Sequence, residues 1–285
     1  MNPDFIAQKI NKLDFFPVPN SVIIALLKTI VEKKCTYEDI GSIVELDASL
    51  SFQILKIANS AYFGFKNEIR TIERAIMLIG TEEVRNLTLA LSLVNQFKKI
   101  KLAKNFDFKR FWFHSLLCAS CAKMIASQNP IFENDTLYVM GLLHDLGRLI
   151  MAQVMPDQLN IILLKAQNNK VHPWKIEKES GLLHTEIGKA IAKRWSLTKE
   201  TAEVLVYHHN PTQSPRFCRE CAVVKVASSI CKQLEIDIYG EVEIEPLSSK
   251  VLALAGITYN DFDELIEQAK QLKDEVSILT EILVN

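Results

Sequence analysis

Apolar residues return every three or four positions along most of this chain, with polar residues filling the gaps. In "SVIIALLKTIVEKK", residues 21–34, that rhythm follows Pro17 and Pro19, and Asn20 or Ser21 stands ready to cap a helix. "TYEDIGSIVELD" opens on Thr36 with an acid three residues later, Asp39, a variant of the capping box. "ASLSFQILKIANS" carries apolar residues at 50, 54, 57 and 58 and stops at the loop "NSAYFGF". "TIERAIMLIG" runs from Thr71 as cap to Gly80 as stop. "TEEVRNLTLALSLVNQF" begins at Thr81 and places Glu82 and Glu83 in its first turn, where they complement the helix dipole. Five helices joined by short turns are therefore predicted over residues 20–97.

The rhythm breaks at "KKIKLAKNFDFKR", residues 98–110, which holds six basic residues and one acid. It reads as a solvated connector, with a phosphate-binding patch as the sharper alternative. Beyond it, "RFWFHSLLCASCAKMIAS", "DTLYVMGLLHDLGRLIMAQV", "PDQLNIILLKAQ", "GLLHTEIGKAIAKRWS", "KETAEVLVYHH" and "RFCRECAVVKVASSICKQL" are all helical in period. The tail, 236–285, is acidic, with eleven carboxylates against three lysines. Its last helix has an apolar stripe through Phe262, Ile266, Ala269, Val276, Leu279 and Leu283, of the kind that usually docks on its own domain. "EVEIEP" alternates, but alone it makes at most a small hairpin. The expected class is all-α.

Composition narrows the function classes. A chain of 285 residues that is 48% hydrophobic, with 9 Gly and 9 Pro, buries a sizeable core and is not disordered. A net charge of −1 argues against a general nucleic-acid binder, as does the absence of a basic cluster on the short helices around "SFQILKIANSAYF". Uncharged stretches fall well short of the ~20 residues a membrane helix needs. The start, "MNPDFIAQKINKLDFFPVP", lacks the apolar core of a signal peptide, so a cytoplasmic protein is expected.

Six cysteines include two C-x-x-C pairs, "CASC" at 118–121 and "CREC" at 218–221. Two such pairs can make a four-thiolate zinc site. Neither sits on a Gly- or Pro-rich turn, however, and a spacing of three on a helix puts small apolar thiols on one face. The helical-face reading is preferred.

The histidines carry more. His114, the His144–Asp145 pair, His184, His208 and His209 each lie near a helical apolar face. A lone histidine there is usually a satisfied core residue. Five in succession, one beside an aspartate, point to ligands instead. Mixed imidazole and carboxylate ligation suits Mn, Fe, Zn or Mg with positions left open for water and phosphate.

The order of these motifs resembles the HD superfamily of metal-dependent phosphohydrolases: a His, then "HD" about thirty residues later, then H-x-x-x-G, then "HH". HD-GYP, the branch that hydrolyses cyclic di-GMP, is the nearest catalytic one. The amino-terminal half narrows the match. "FFPVPNSVIIALL", "DASLSFQILKIANSAYFG", "IRTIERAIMLIGTEEVRNLTLALSL", "FWFHSLLCA", "GLLHDLGRLIM", "HTEIG" and "YHH" together resemble the HDOD domain, the HD-related output domain of bacterial signalling proteins, over about residues 13–232.

That resemblance implies an N-terminal helical bundle packed on an HD-like helical core. The expected parts are an N-terminal subdomain at 1–97, the connector at 98–110, the HD-like core at 111–235 and an acidic helical extension at 236–285. It implies a divalent transition metal (Mn, Fe, Zn or Ni) on His114, His144 and Asp145, with His184, His208 and His209 as a second site. Arg148, one turn past the His–Asp pair, is a candidate for contacting a phosphate or a partner carboxylate.

Two departures bear on function. HD enzymes close their site with an aspartate in a segment like "VAD", whereas this chain reads "KVASSIC" and puts Ser228 there. After "HH" comes Asn210, so both the acid and the Gly-Tyr-Pro of HD-GYP are missing. The resemblance thus implies a free-standing, non-catalytic output module that binds a signalling protein partner or a nucleotide second messenger, away from membranes and nucleic acid. The alternative is a metal-dependent phosphodiesterase or phosphohydrolase acting on a cyclic dinucleotide or nucleotide.

Overall fold

The computed structural model describes residues 18–32, 36–98, 100–236 and 245–285. Every regular element among them is helical, so the all-α expectation holds. Most of "EVEIEP" and the start of the chain, residues 1–17, lie outside the described residues. The chain divides into two compact units, one made of Pro19–Lys99 with Lys273–Asn285 and the other containing Ile100–Leu272.

The first unit holds α1 (Ser21–Glu32), α2 (Tyr37–Glu45), α3 (Ala48–Ala58), α4 (Ile72–Ile79) and α5 (Thr81–Lys98). Local chemistry sets their ends. Asn20, not Ser21, caps α1, its Oδ1 accepting from the Ile23 amide at 2.9 Å. Thr36 and Asp39 form the reciprocal capping box that starts α2. Thr71 accepts from the Arg74 amide, and Gly80 ends α4 at φ +100°, a backbone setting that glycine adopts without strain. Helix α5 is buried on all sides from Val84 to Val94, as befits the axis of a bundle.

The second unit holds α6 (Phe108–Ser127), α7 (Asn134–Leu143), α8 (Leu146–Val154), α9 (Pro156–Asn169), α10 (Pro173–Ser180), α11 (His184–Arg194) and α12 (Lys199–Tyr207). A short 3-10 turn, Pro211–Gln213, leads to α13 (Cys218–Gln233) and α14 (Ser249–Ala255). Helix α15 (Tyr259–Val284) begins here, and its residues from Lys273 onward belong to the first unit. Its buried positions are Leu265, Ala269, Val276, Leu279, Thr280 and Leu283, while Phe262 and Ile266 are only half-buried.

Two features differ from the periodic reading. "DTLYVMGLLHDLGRLIMAQV" is not one helix but α7 and α8, broken at His144–Asp145. Every residue from Leu137 to Ala152 is buried, so the apolar run continues through the break and conceals it. The segment 172–180, which carried no apolar rhythm, forms α10, with His172 accepting from the Trp174 amide at 3.1 Å and Pro173 at the first helical position. Within 98–110, Lys98 closes α5, Asp107 caps α6, and Ala103 and Phe106 are buried. No helix among the described residues is long and apolar enough to cross a membrane.

Candidate metal centre

All the histidines singled out from the sequence converge inside the second unit. His114 comes from α6, and His184 opens α11. His144 and Asp145 sit at the α7–α8 break, and His208 and His209 follow α12. The break lets both members of the His–Asp pair turn inward, which a continuous helix would oppose. A glycine brings α8 against α11: a Cβ on Gly147 would lie 2.0 Å from the His184 carbonyl oxygen.

Each ring is held by one nitrogen. His114 Nδ1 lies 2.9 Å from the Ile236 carbonyl, His144 Nδ1 2.7 Å from Gly141 and His208 Nδ1 3.0 Å from Val204. A carbonyl only accepts, so each Nδ1 carries the proton and donates. His184 Nδ1 donates to Glu177 Oε2, which also accepts from the His184 amide at 3.0 Å. The Nε2 atoms are thereby turned toward Asp145.

Three donor atoms then form a nearly equilateral triangle. His184 Nε2 is 3.3 Å from Asp145 Oδ1, His208 Nε2 is 3.5 Å from it, and the two nitrogens are 3.4 Å apart. In the neutral form of both rings, with the protons on Nδ1, the two Nε2 atoms and the carboxylate oxygen present only lone pairs to one another, an arrangement that a cation among them stabilises. Tetrahedral ligands on bonds of about 2.0–2.1 Å sit roughly 3.3–3.4 Å apart, and octahedral ones only about 2.9 Å. The triangle therefore suits a small ion with three protein ligands and an open position.

Electrostatics separates the two sides of Asp145. Burial holds His208 neutral, its pKa lowered to about 3. Burial also opposes charge on His144, but Cys118 and the Asp145 carboxylate outweigh it and raise that ring to about 9. Burial alone would raise Asp145, yet the Arg148 guanidinium and His144 keep its carboxyl well below the usual range. The same contest leaves Glu177 at about 2, with His184 and Arg148 winning over burial. Arg148 is itself buried, with Nη1 2.5 Å from Asp145 Oδ2 and Nε 3.3 Å from Glu177 Oε1.

A divalent ion fits this donor set on a second ground. Asp145 Oδ1 is buried without a hydrogen-bond partner, although buried polar atoms nearly always have one. His114, His144 and Asp145 group as possible ligands on one side, and Asp145, His184, His208 and His209 on the other, so Asp145 is shared.

The cleft over these residues holds about 190 Å³ of open space and is also lined by Arg148, His172, Ser228 and Lys232. Ser228 thus faces the site from α13, and Asp145 is the one carboxylate among the lining residues. Sequence reasoning missed His172, Lys232 and Glu177, along with Trp174, whose ring stacks on His209 at 4.2 Å. A proline-led "HPWKIE" after a polar stretch was the available signal for α10 and its Glu177. The cysteines follow the helical-face reading: Cys118 and Cys121 of α6 meet Cys231 of α13, and no candidate metal group among the described residues contains a cysteine.

The sequence profile of the HDOD domain matches residues 16–211. The chain belongs to the HDOD family. An HDOD domain protein of unknown function from Geobacter sulfurreducens has the same fold, with a TM-score of 0.86 at 20% identity over 99% of this chain and 97% of that one. A candidate phosphohydrolase of Shewanella amazonensis SB2B gives 0.74 at 21% identity, over 98% and 97%. An uncharacterized protein of Treponema pallidum (strain Nichols) is 25% identical over 72% of this chain and 40% of its own length. The chain spans less than half the length of the curated relatives it matches.

Proposed function

We propose that this HDOD domain is a non-catalytic output module of signal transduction, holding one divalent transition ion at Asp145, His184 and His208 and acting on a signalling protein partner. The observation that carries this reading is Ser228 in the cleft, where the HD resemblance calls for a carboxylate. A hydroxyl replaces an anionic ligand poorly, and a hydrolase needs both a charge-balanced ion and a group to place its attacking water. When bound, the ion supplies Lewis acidity and ties together the helices that carry its ligands. The protein contributes the rest. Glu177 and the Val204 carbonyl fix the rings of His184 and His208, and the apolar walls of α7 and α8 keep solvent out.

A protein partner is favoured over a nucleotide because the cleft encloses essentially no room for a bound molecule, whereas small-molecule sites offer roughly 300–1,000 Å³. The test is hydrolysis of cyclic di-GMP and of a simple phosphodiester with added Mn²⁺. Turnover far below enzyme rates is expected. Turnover near or above ~1 s⁻¹, within the usual range for enzymes, would overturn the reading in favour of a phosphodiesterase.

A further inference from the structure

We propose that Arg148 is a built-in competitor of the ion, so that this HDOD site takes up metal weakly and releases it readily. The inference rests on reading the site as a metal centre and concerns what sets its affinity.

Asp145 divides its two oxygens. Oδ1 faces His184 and His208, whereas Oδ2 accepts from Arg148 Nη1 at 2.5 Å. The same guanidinium donates through Nε to Glu177 Oε1, and the other oxygen of Glu177 holds His184. Arg148 therefore touches the carboxylate that would ligate the ion and the carboxylate that orients another ligand. Arg148 and both acids are buried to 2% exposure or less, so water does little to screen their charges.

An arginine cannot shed its proton in response to an arriving cation. Its place is fixed by the backbone, because Arg148 lies one helical turn past Asp145 and the two side chains meet as an i,i+3 pair. An ion on Oδ1 thus shares one carboxylate with a permanent positive charge on Oδ2. The second buried anion, Glu177, is already engaged by Arg148 and by the His184 ring, and Ser228 adds no further one at the ion position. Arg148 does not touch the ion position; it acts through Asp145. The consequence is a site that responds to ion concentration instead of staying permanently loaded.

The experiment is a calorimetric Zn²⁺ titration of chelator-stripped wild type, Arg148→Met and Arg148→Lys, with circular dichroism to confirm folding. Arg148→Met should bind at least tenfold more tightly than wild type, and Arg148→Lys, which keeps the charge, should stay near wild type. Should Met prevent folding, Arg148→Gln, which keeps hydrogen-bonding capacity without charge, carries the same expectation as Met. Binding by the uncharged variant that equals or falls below wild type overturns the proposal. So does a Lys variant as tight as the uncharged one. If wild type binds but the uncharged variant gains nothing, the metal reading stands and the competition fails. If neither binds, both fail.

Discussion

His184 and His208 meet Nε2 to Nε2 at 3.4 Å, each donating a hydrogen bond from Nδ1 to another acceptor. Glu177 enforces this on the His184 side by accepting from both the ring and the amide. Glu177→Gln should therefore weaken Zn²⁺ or Mn²⁺ binding by about 10–100-fold, the usual effect of removing a group that orients a metal-ligating histidine. Isothermal titration of the folded variant checks this. Unchanged affinity would remove Glu177 from the centre.

Ser228→Asp would place a second carboxylate in a cleft that has one. Metal affinity should rise, because the added anion offsets positive charge contributed by the ion and Arg148. Hydrolysis of phosphodiesters should not appear, since Asn210 still stands where HD-GYP enzymes carry the acid after the paired histidines. Elemental analysis beside a phosphodiester assay measures both. A loss of metal would show that Ser228 does not face the ion.

The cysteine pair of α6 packs in the core. Cys118→Ala with Cys121→Ala should cost no more than about 1–2 kcal/mol in urea unfolding, because little volume is removed. The metal content should stay as in wild type. Stoichiometric zinc that vanishes in the double variant would contradict the helical-face reading.

Lys225 makes stability depend on pH. Burial, aided by the charge of Lys232, lowers its pKa from 10.5 to about 8. Between those values the unfolded chain holds a proton that the folded chain has released, so stability rises with pH across that window. Below about pH 8 the folded protein carries the full penalty, on the order of 3 kcal/mol at most. Lys225→Met should be more stable at pH 7 and should flatten the rise between pH 8 and 10.5. Parallel slopes for the two proteins in denaturant titrations would contradict this.

Much of the fold was legible because caps and periodicity agree locally. Thr36 with Asp39, Thr71 and Gly80 each mark an end that the structure shows. The His144–Asp145 break was not legible, since the flanking turns are buried on every side from Leu137 to Ala152 and the apolar run gives no sign of where the backbone turns. The five site histidines could be read from their motifs, but His172 caps and Glu177 lies on a short helix whose buried positions, Pro173, Trp174, Ile176 and Glu177, are too few and too mixed to make an apolar rhythm. Arg148 was recognisable as a neighbour of the pair. Its burial between two carboxylates depends on α10, which the sequence did not announce.

The most direct measurement is a calorimetric titration of chelator-stripped wild type with Zn²⁺ and, separately, Mn²⁺, beside His208→Ala shown by circular dichroism to be folded. One saturable ion per wild-type chain, lost in His208→Ala, is the expected result. No saturable binding by wild type, or equal binding by His208→Ala, would contradict a metal centre at Asp145, His184 and His208.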